Sequence, residues 1–224
     1  MVEVKSYHLK PTDRIPNSHY PLLHYKGVLS AKVNCEADKA YDLFTENGWK
    51  VNWIFRYGDT QMSHYHSRSH ECMAVLTGNA TIRFGVADLS DDLEANTYGS
   101  GSDWEKGGVE LHAEAGDVFL IPAGVAHKTY RTRPSAPFVL LTPGHGKGIE
   151  APDERKALQE LTLDGFTMLG AYPHGADWDF IEACTDKADW EKTWAIPKPK
   201  LDPVLGDKPE GMAGLWKARR QAKL

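Results

Sequence analysis

Residues 58–78 read GDTQMSHYHSRSHECMAVLTG, and the spacing of His64, His66 and Glu71 in this stretch decides how the rest of the chain is read. Successive side chains of a strand alternate between its faces, so two histidines two apart share one. A polar break, Ser67-Arg68-Ser69, follows. Beyond it Glu71, Met73 and Val75 have the parity of one strand face, while Cys72, Ala74 and Leu76 have the other. The pattern is strand, polar turn, strand, with two imidazoles and a carboxylate converging on one point. Neutral imidazole and ionised carboxylate are the donors that a borderline divalent cation prefers.

Upstream of this stretch, Val51, Trp53, Phe55 and Tyr57 alternate with Asn52, Ile54 and Arg56, which predicts a strand ending at Gly58. Before it a helix is expected from about residue 36 to 46, with Asn34 as its N-cap and Asn47-Gly48 as its stop. Residues 3–9 suit an edge strand, and Pro11, Pro16 and Pro21 mark an extended arm that crosses the barrel or reaches a neighbouring subunit.

Downstream, a strand at 80–84 gives way to the acidic, glycine-rich run 86–108, expected as a solvated surface loop. Strand character returns at 109–113. Then comes a second informative stretch, Gly116 to His127, GDVFLIPAGVAH, read as strand, Pro122-Ala123-Gly124 turn and strand. A strand at 138–142, a helix begun by Pro152, a strand at 166–171 and a terminal helix from Gly214 to Lys223 complete the pattern.

Composition narrows the function. With 41% hydrophobic and 25% charged residues the chain has an ordinary globular balance. It has no apolar run of the roughly 20 residues that a membrane span needs, and its first residues lack a signal peptide's apolar core; a cytoplasmic location is expected. Cys35, Cys72 and Cys184 are widely spaced, which argues against a disulfide framework or a thiolate zinc site. A net charge of −5 leaves no footprint for nucleic acid. The expected partner is a small-molecule substrate, with no nucleic acid and no membrane. One domain, 1–224, is the economical reading: an arm and helix at 1–48, a core barrel at about 49–172 and an extension at 173–224.

Gly58, five residues, His64-x-His66, four residues, Glu71, six residues, Gly78 resembles the first motif of the RmlC-like cupin superfamily in every spacing. Gly116, five residues, Pro122-x-Gly124, two residues, His127 resembles the second. Arg131 replaces the customary asparagine, which is not a ligand in the family. The resemblance implies an all-β fold, the cupin double-stranded β-helix or jelly-roll barrel, with peripheral helices at the N- and C-terminal ends. It also implies His64, His66, Glu71 and His127 as ligands of a divalent metal inside the barrel. The family pattern allows three or four residues before the carboxylate, so His70 competes with Glu71. NGWK (47–50), GAYPHGADWD (170–179), DPVLG (202–206) and Leu215-Trp216 further resemble YjlB-type cupins, whose fungal relatives include dioxygenase-like proteins of secondary-metabolite clusters. The runs 86–108 and 145–164 depart from that likeness, and either is suited to form a lid over the barrel mouth.

Four protein ligands on a six-coordinate metal leave two positions open. With Fe(II), the favoured metal, these suit dioxygen activation; with Mn, Ni or Zn they suit Lewis-acid work. The expected function is a metal-dependent, dioxygenase-like oxidoreductase acting on a small aromatic or enolic acid, with Glu71 doubling as a catalytic proton carrier. The alternatives are a metal-dependent isomerase or decarboxylase, and a non-catalytic small-molecule-binding cupin. Trp53, Phe55, Tyr57 and Met73 are expected to wall the substrate pocket, with Gln61, Tyr130 and Trp178 beside them. Arg56 and Arg83 have the opposite parity and are expected to be exposed. Family likeness and the proline arm imply a homodimer. Ala222-Lys223-Leu224 resembles a small-basic-leucine peroxisomal address.

Overall fold

The computed structural model describes residues 2–217. In chain order the strands are β1 (Val4–Tyr7), β2 (Leu22–Tyr25), β3 (Trp49–Tyr57), β4 (Glu71–Thr77), β5 (Asn79–Phe84), β6 (Val109–Glu114), β7 (Val118–Ile121), β8 (His127–Arg133), β9 (Val139–Leu140) and β10 (Phe166–Pro173). The helices are α1 (Val28–Val33), α2 (Ala37–Glu46), α3 (Leu93–Tyr98), α4 (Glu154–Gln159), α5 (Lys187–Trp194) and α6 (Met212–Leu215). A seven-stranded sheet runs β1-β2-β7-β4-β10-β3-β9 and a three-stranded sheet runs β6-β5-β8, all pairs antiparallel. Strands distant in sequence lie side by side, as in the expected jelly roll.

The alternation along β4 sorts the core into two layers. Met73 and Val75 face the small sheet, among Ile82, Phe84, Phe119, Phe166 and Met168. Cys72, Ala74 and Leu76 face the helices, among Leu29, Ala40, Phe44, Met212 and Trp216. The large sheet is thus buried on both faces. One residue slips out of the predicted alternation. Opposite Gly170 and Ala171 the register of β3 shifts, so that Trp53 pairs with Gly170 and Val51 with Ala171. Asn52 is the extra residue of this bulge. Val51 therefore joins the helix side while Trp53 and Tyr57 stay inside the barrel.

Several expectations are corrected. Asn34 caps the C-terminus of α1 in the left-handed region (φ 52), and Glu36 occupies the N-cap of α2. The arm crosses its own barrel: Ile15 and Asn17 are buried, the Trp194 indole donates to the Asn17 carbonyl at 3.0 Å, and the chain then enters the large sheet as β2. His64 and Tyr65 form only single bridges, to His127 and Ile181, in place of a continuous strand. Among the described residues the last helix is one turn, Met212–Leu215, with Trp216 at its C-cap. The predicted continuation of that helix to Lys223, and Ala222-Lys223-Leu224, lie outside the described residues.

Residues 86–108 are a largely exposed surface segment, as expected, but one with buried anchors and a short helix. Val86 and Ala87 are buried, and Asp92 caps α3 by accepting from the Ala95 N–H at 3.0 Å. The segment covers the outer face of β5 and β8. There Arg83, expected to be exposed, is buried 3.8 Å from the Trp104 ring centroid and donates to the Asn96 carbonyl. On the same face Lys128 is buried and pairs with Asp88 at 3.0 Å. Arg56 is half-buried, bonded to both carboxylate oxygens of Asp164. In the segment 145–164, Gly146 lies beside Phe55 and Trp178, and α4 docks on α2 through Arg155 with Asp38 and Asp42. Among the described residues no helix is long and apolar enough to cross a membrane.

Candidate metal centre

The paired bridge between the two motifs is the scaffold of the site. His64 and His127 exchange backbone hydrogen bonds, His127 N–H to the His64 carbonyl at 2.8 Å and the reverse at 3.2 Å. The Gly124 N–H, in the turn of the second motif, donates to the His66 carbonyl at 2.9 Å. Glycine is needed in that turn, because its φ is 87° and a Cβ there would strike the Asn17 carbonyl. Locked in this way, His64, His66 and His127 bring ring nitrogens within 4.8 Å of one another, all three side chains buried. This buried triad can hold a metal ion.

Each imidazole is oriented by a backbone carbonyl. Nδ1 of His64 faces the Met62 carbonyl at 3.2 Å, Nδ1 of His127 the Val125 carbonyl at 3.3 Å, and Nδ1 of His66 the Asp179 carbonyl. With the proton on Nδ1, Nε2 is left as an acceptor, the form a metal takes. Glu71, at the start of β4, places Oε1 3.2 Å from His66 Nε2 and Oε2 3.2 Å from His127 Nε2. Oε1 also accepts from the Tyr172 hydroxyl; Oε2 is buried without a hydrogen-bond partner. A carboxylate facing imidazole nitrogens is stabilised by positive charge shared among them, and the donor types fit a divalent metal.

The electrostatics agree. Burial and the neighbouring His127 and His66 hold His64 well below its ordinary range, and burial, partly opposed by Glu71, lowers His127 to about 4. His66 is raised: burial alone would lower it, but the Glu71 charge outweighs that. Glu71 is lowered although burial opposes this, because His66, His127 and the Tyr172 hydroxyl favour the carboxylate. The site therefore favours an ionised glutamate among imidazoles, the arrangement that accepts a cation.

His70 is turned away from this point. It is buried, its Nδ1 accepts from the Ala123 N–H at 2.9 Å and its Nε2 donates to the Pro197 carbonyl at 3.2 Å. Burial lowers it to about 4, so it stays neutral and ties the second-motif turn to the C-terminal extension. It helps line a cleft of about 570 Å³ with Asn47, Arg68, His174 and Lys200, whose lining includes neither the histidine triad nor Glu71. His112 and His145 are exposed.

Of the expected pocket residues, Trp53, Tyr57 and Met73 are buried inside the barrel. Phe55 is half-buried, 5.0 Å from Trp53 by ring centroids and stacked at 5.0 Å on Phe138, which is 57% exposed. Trp178 lies 5.4 Å from His66 and stacks on Tyr172. Gln61 is half-buried. Tyr130 is not brought to the site: paired with Thr81, it lies with Arg83 and Tyr98 on the outer face of the small sheet, opposite to His127.

Sequence reasoning missed three contributors. Tyr172, at the end of β10, bonds to Glu71; Asp179 fixes His66 by its carbonyl and accepts from the Ser67 N–H at 2.7 Å; Phe180 stacks on His64 at 3.9 Å. All lie in or beside the GAYPHGADWD run, whose density of aromatic and acidic residues just past the last barrel strand was the available signal.

No family model matches the chain. YjlB of Bacillus subtilis (strain 168), described as an uncharacterized protein, is 27% identical over 221 residues, covering 96% of this chain and 97% of its own length. Among solved structures, RmlC from Streptococcus suis in complex with dTDP-D-xylose is 11% identical, covers 90% of this chain and 86% of that one, and has a TM-score of 0.34. The 11S globulin from Wrightia tinctoria, which has an auxin binding site, is 7% identical, covers 70% of this chain and has a TM-score of 0.25. The chain overlies 21% of that globulin's length. Structural likenesses this distant say nothing about chemistry. Two histidine motifs meet inside a two-sheet antiparallel barrel of the expected jelly-roll kind, in a chain that is similar to YjlB over nearly the whole length of both.

Proposed function

We propose that the protein is a metal-dependent cupin enzyme in which His64, His66, Glu71 and His127 hold a divalent cation, Fe(II) by preference, and which oxidises a small aromatic or enolic acid in the manner of a dioxygenase. The observation that carries the metal is Glu71 Oε2, buried without a hydrogen-bond partner 3.2 Å from His127 Nε2. Iron bound there supplies a redox-active Lewis acid with exchangeable positions.

The substrate class is supported by the rings around the ligands. One series of neighbours runs inward from Phe138 through Phe55 to Trp53, whose indole donates to Tyr172. Phe180, 49% exposed, reaches His64 directly. A flat conjugated molecule finds stacking partners along both. In this reading Phe55 and Phe138 orient the ring, Trp178 and Phe180 exclude water, and Glu71 carries a proton only where the incoming substrate displaces it from the cation. Family likeness supports a homodimer, which sedimentation velocity tests.

Protein purified without added metal should carry about one divalent ion per chain. After anaerobic loading with Fe(II), it should consume oxygen with at least one member of a panel of aromatic and enolic acids. Silence across the panel overturns the dioxygenase reading, and turnover under nitrogen replaces it with an isomerase or decarboxylase.

A further inference from the structure

We infer that Tyr172 is a positioning residue that keeps Glu71 to a single-oxygen ligand and so sets how many exchangeable positions the metal has. This rests on the metal reading above and goes beyond it, because the tyrosine belongs to neither histidine motif. Its hydroxyl donates to Glu71 Oε1, leaving Oε2 as the carboxylate oxygen without a protein partner. The hydroxyl is itself oriented: the Trp53 indole N–H donates to its oxygen at 3.2 Å. That donation occupies a lone pair, and of the two groups the hydroxyl hydrogen can reach, His66 Nε2 at 3.5 Å and Glu71 Oε1 at 2.5 Å, the nearer carboxylate oxygen takes it. Trp53, Glu71 and Tyr172 are all buried, so no solvent competes for these bonds.

The strands fix this geometry. Trp53 lies on β3 beside Gly170 of β10, at the register shift, and the absent side chain at 170 gives the indole its place against the backbone. Tyr172, two residues along the same strand, shares that inward face.

The consequence is one of coordination number. Three imidazole nitrogens and one carboxylate oxygen use four places on a six-coordinate metal and leave two. If both oxygens of Glu71 turn to the metal, one place remains, and a substrate that chelates through two oxygens no longer fits. Tyr172 holds Oε1 back. A tyrosine that merely packs would affect melting temperature and leave the ratio of one- to two-point binding untouched.

The test uses the full chain loaded with Co(II), whose visible bands report coordination number, titrated with azide as a one-point probe and acetohydroxamate as a two-point probe. In Tyr172→Phe, acetohydroxamate should weaken about tenfold or more relative to azide, the scale on which partners of metal ligands act, with the Co(II) bands altered before any probe is added. Trp53→Phe, which leaves the phenol in place but removes its orienting donor, should move the same ratio by a smaller factor and covers the case in which Tyr172→Phe fails to fold. Wild-type protein that binds no Co(II) overturns the metal reading and this inference with it. Wild type that binds Co(II), with unchanged bands and probe ratio in the variants, overturns the inference alone.

Discussion

A methyl group at position 170 would land on the Trp53 indole, because the two backbones pair at the bulge and the ring lies across the glycine. Gly170→Ala should therefore lower stability by about 1–3 kcal/mol, the usual cost of an overpacked core. The displaced indole should also release Tyr172, visible as a change in near-ultraviolet circular dichroism. At this scale the sequence was informative where neighbours along the chain decide the outcome. That His64, His66 and His127 come together could be read from the spacing of the two motifs, although His64 and His66 do not lie on the continuous strand from which their parity was argued. Tyr172 could not, because its partner lies on another strand. Tyr130 and Arg83 were misread for a related reason: the 86–108 segment buries the outer face of the small sheet, and parity alone does not reveal such a cover.

Among the elements, β2 and β7 meet over a buried carboxylate. Asp117 accepts from His24 at 2.9 Å, from the Gly27 N–H at 2.8 Å and from Lys26 at 3.1 Å. Burial alone would raise its carboxyl, but these donors outweigh that and hold it below its ordinary value of 3.8. A carboxyl depressed in the folded state contributes stability that is present above the unfolded pKa and is lost as pH falls through the folded one. Stability should accordingly drop as pH falls below about 4, and Asp117→Asn should flatten that drop while costing stability at pH 7; urea melts against pH measure both. A sharper loss is expected where the 86–108 segment meets β8. Asp88→Ala strips the buried Lys128 of its partner and the Ser63 N–H of its acceptor, at a cost of about 3–5 kcal/mol. Adding Lys128→Met should recover part of that loss in the same melts. Most strands were legible as elements, because alternation and bounding glycines and prolines mark them. The four residues of β2 were hidden inside a proline-punctuated arm, and their strand character comes from pairing with β7 and β1.

At the scale of the whole molecule, the chain after the last barrel strand is part of the core. Val204, Leu205, Met212 and Trp216 lie in the helix-side layer, and Asp202 accepts from the Val204, Leu205 and Met212 N–H groups and the Tyr25 hydroxyl. A chain ending at residue 201 should fail to give a cooperative melt, since it removes four buried hydrophobics together with the carboxylate that organises them. That the two motifs come together was readable from their order and spacing. That the extension closes over both layers was not, because its short prolines-and-aspartate segments carry no period.

The strap from Trp178 to Ile181 gives the cradle a further property. His66 is aimed by a carbonyl that follows β10, His64 is faced by the next ring, and Tyr65 bridges to Ile181. The donor set is thus assembled only when the first motif, the second and the strap have all arrived, and no short fragment of the chain contains it. Under the proposed metal reading, cation binding and completion of the fold are linked: free metal at a hundred times its dissociation constant would add about 3 kcal/mol to the folded state, and a chelator should lower the melting temperature by the corresponding amount.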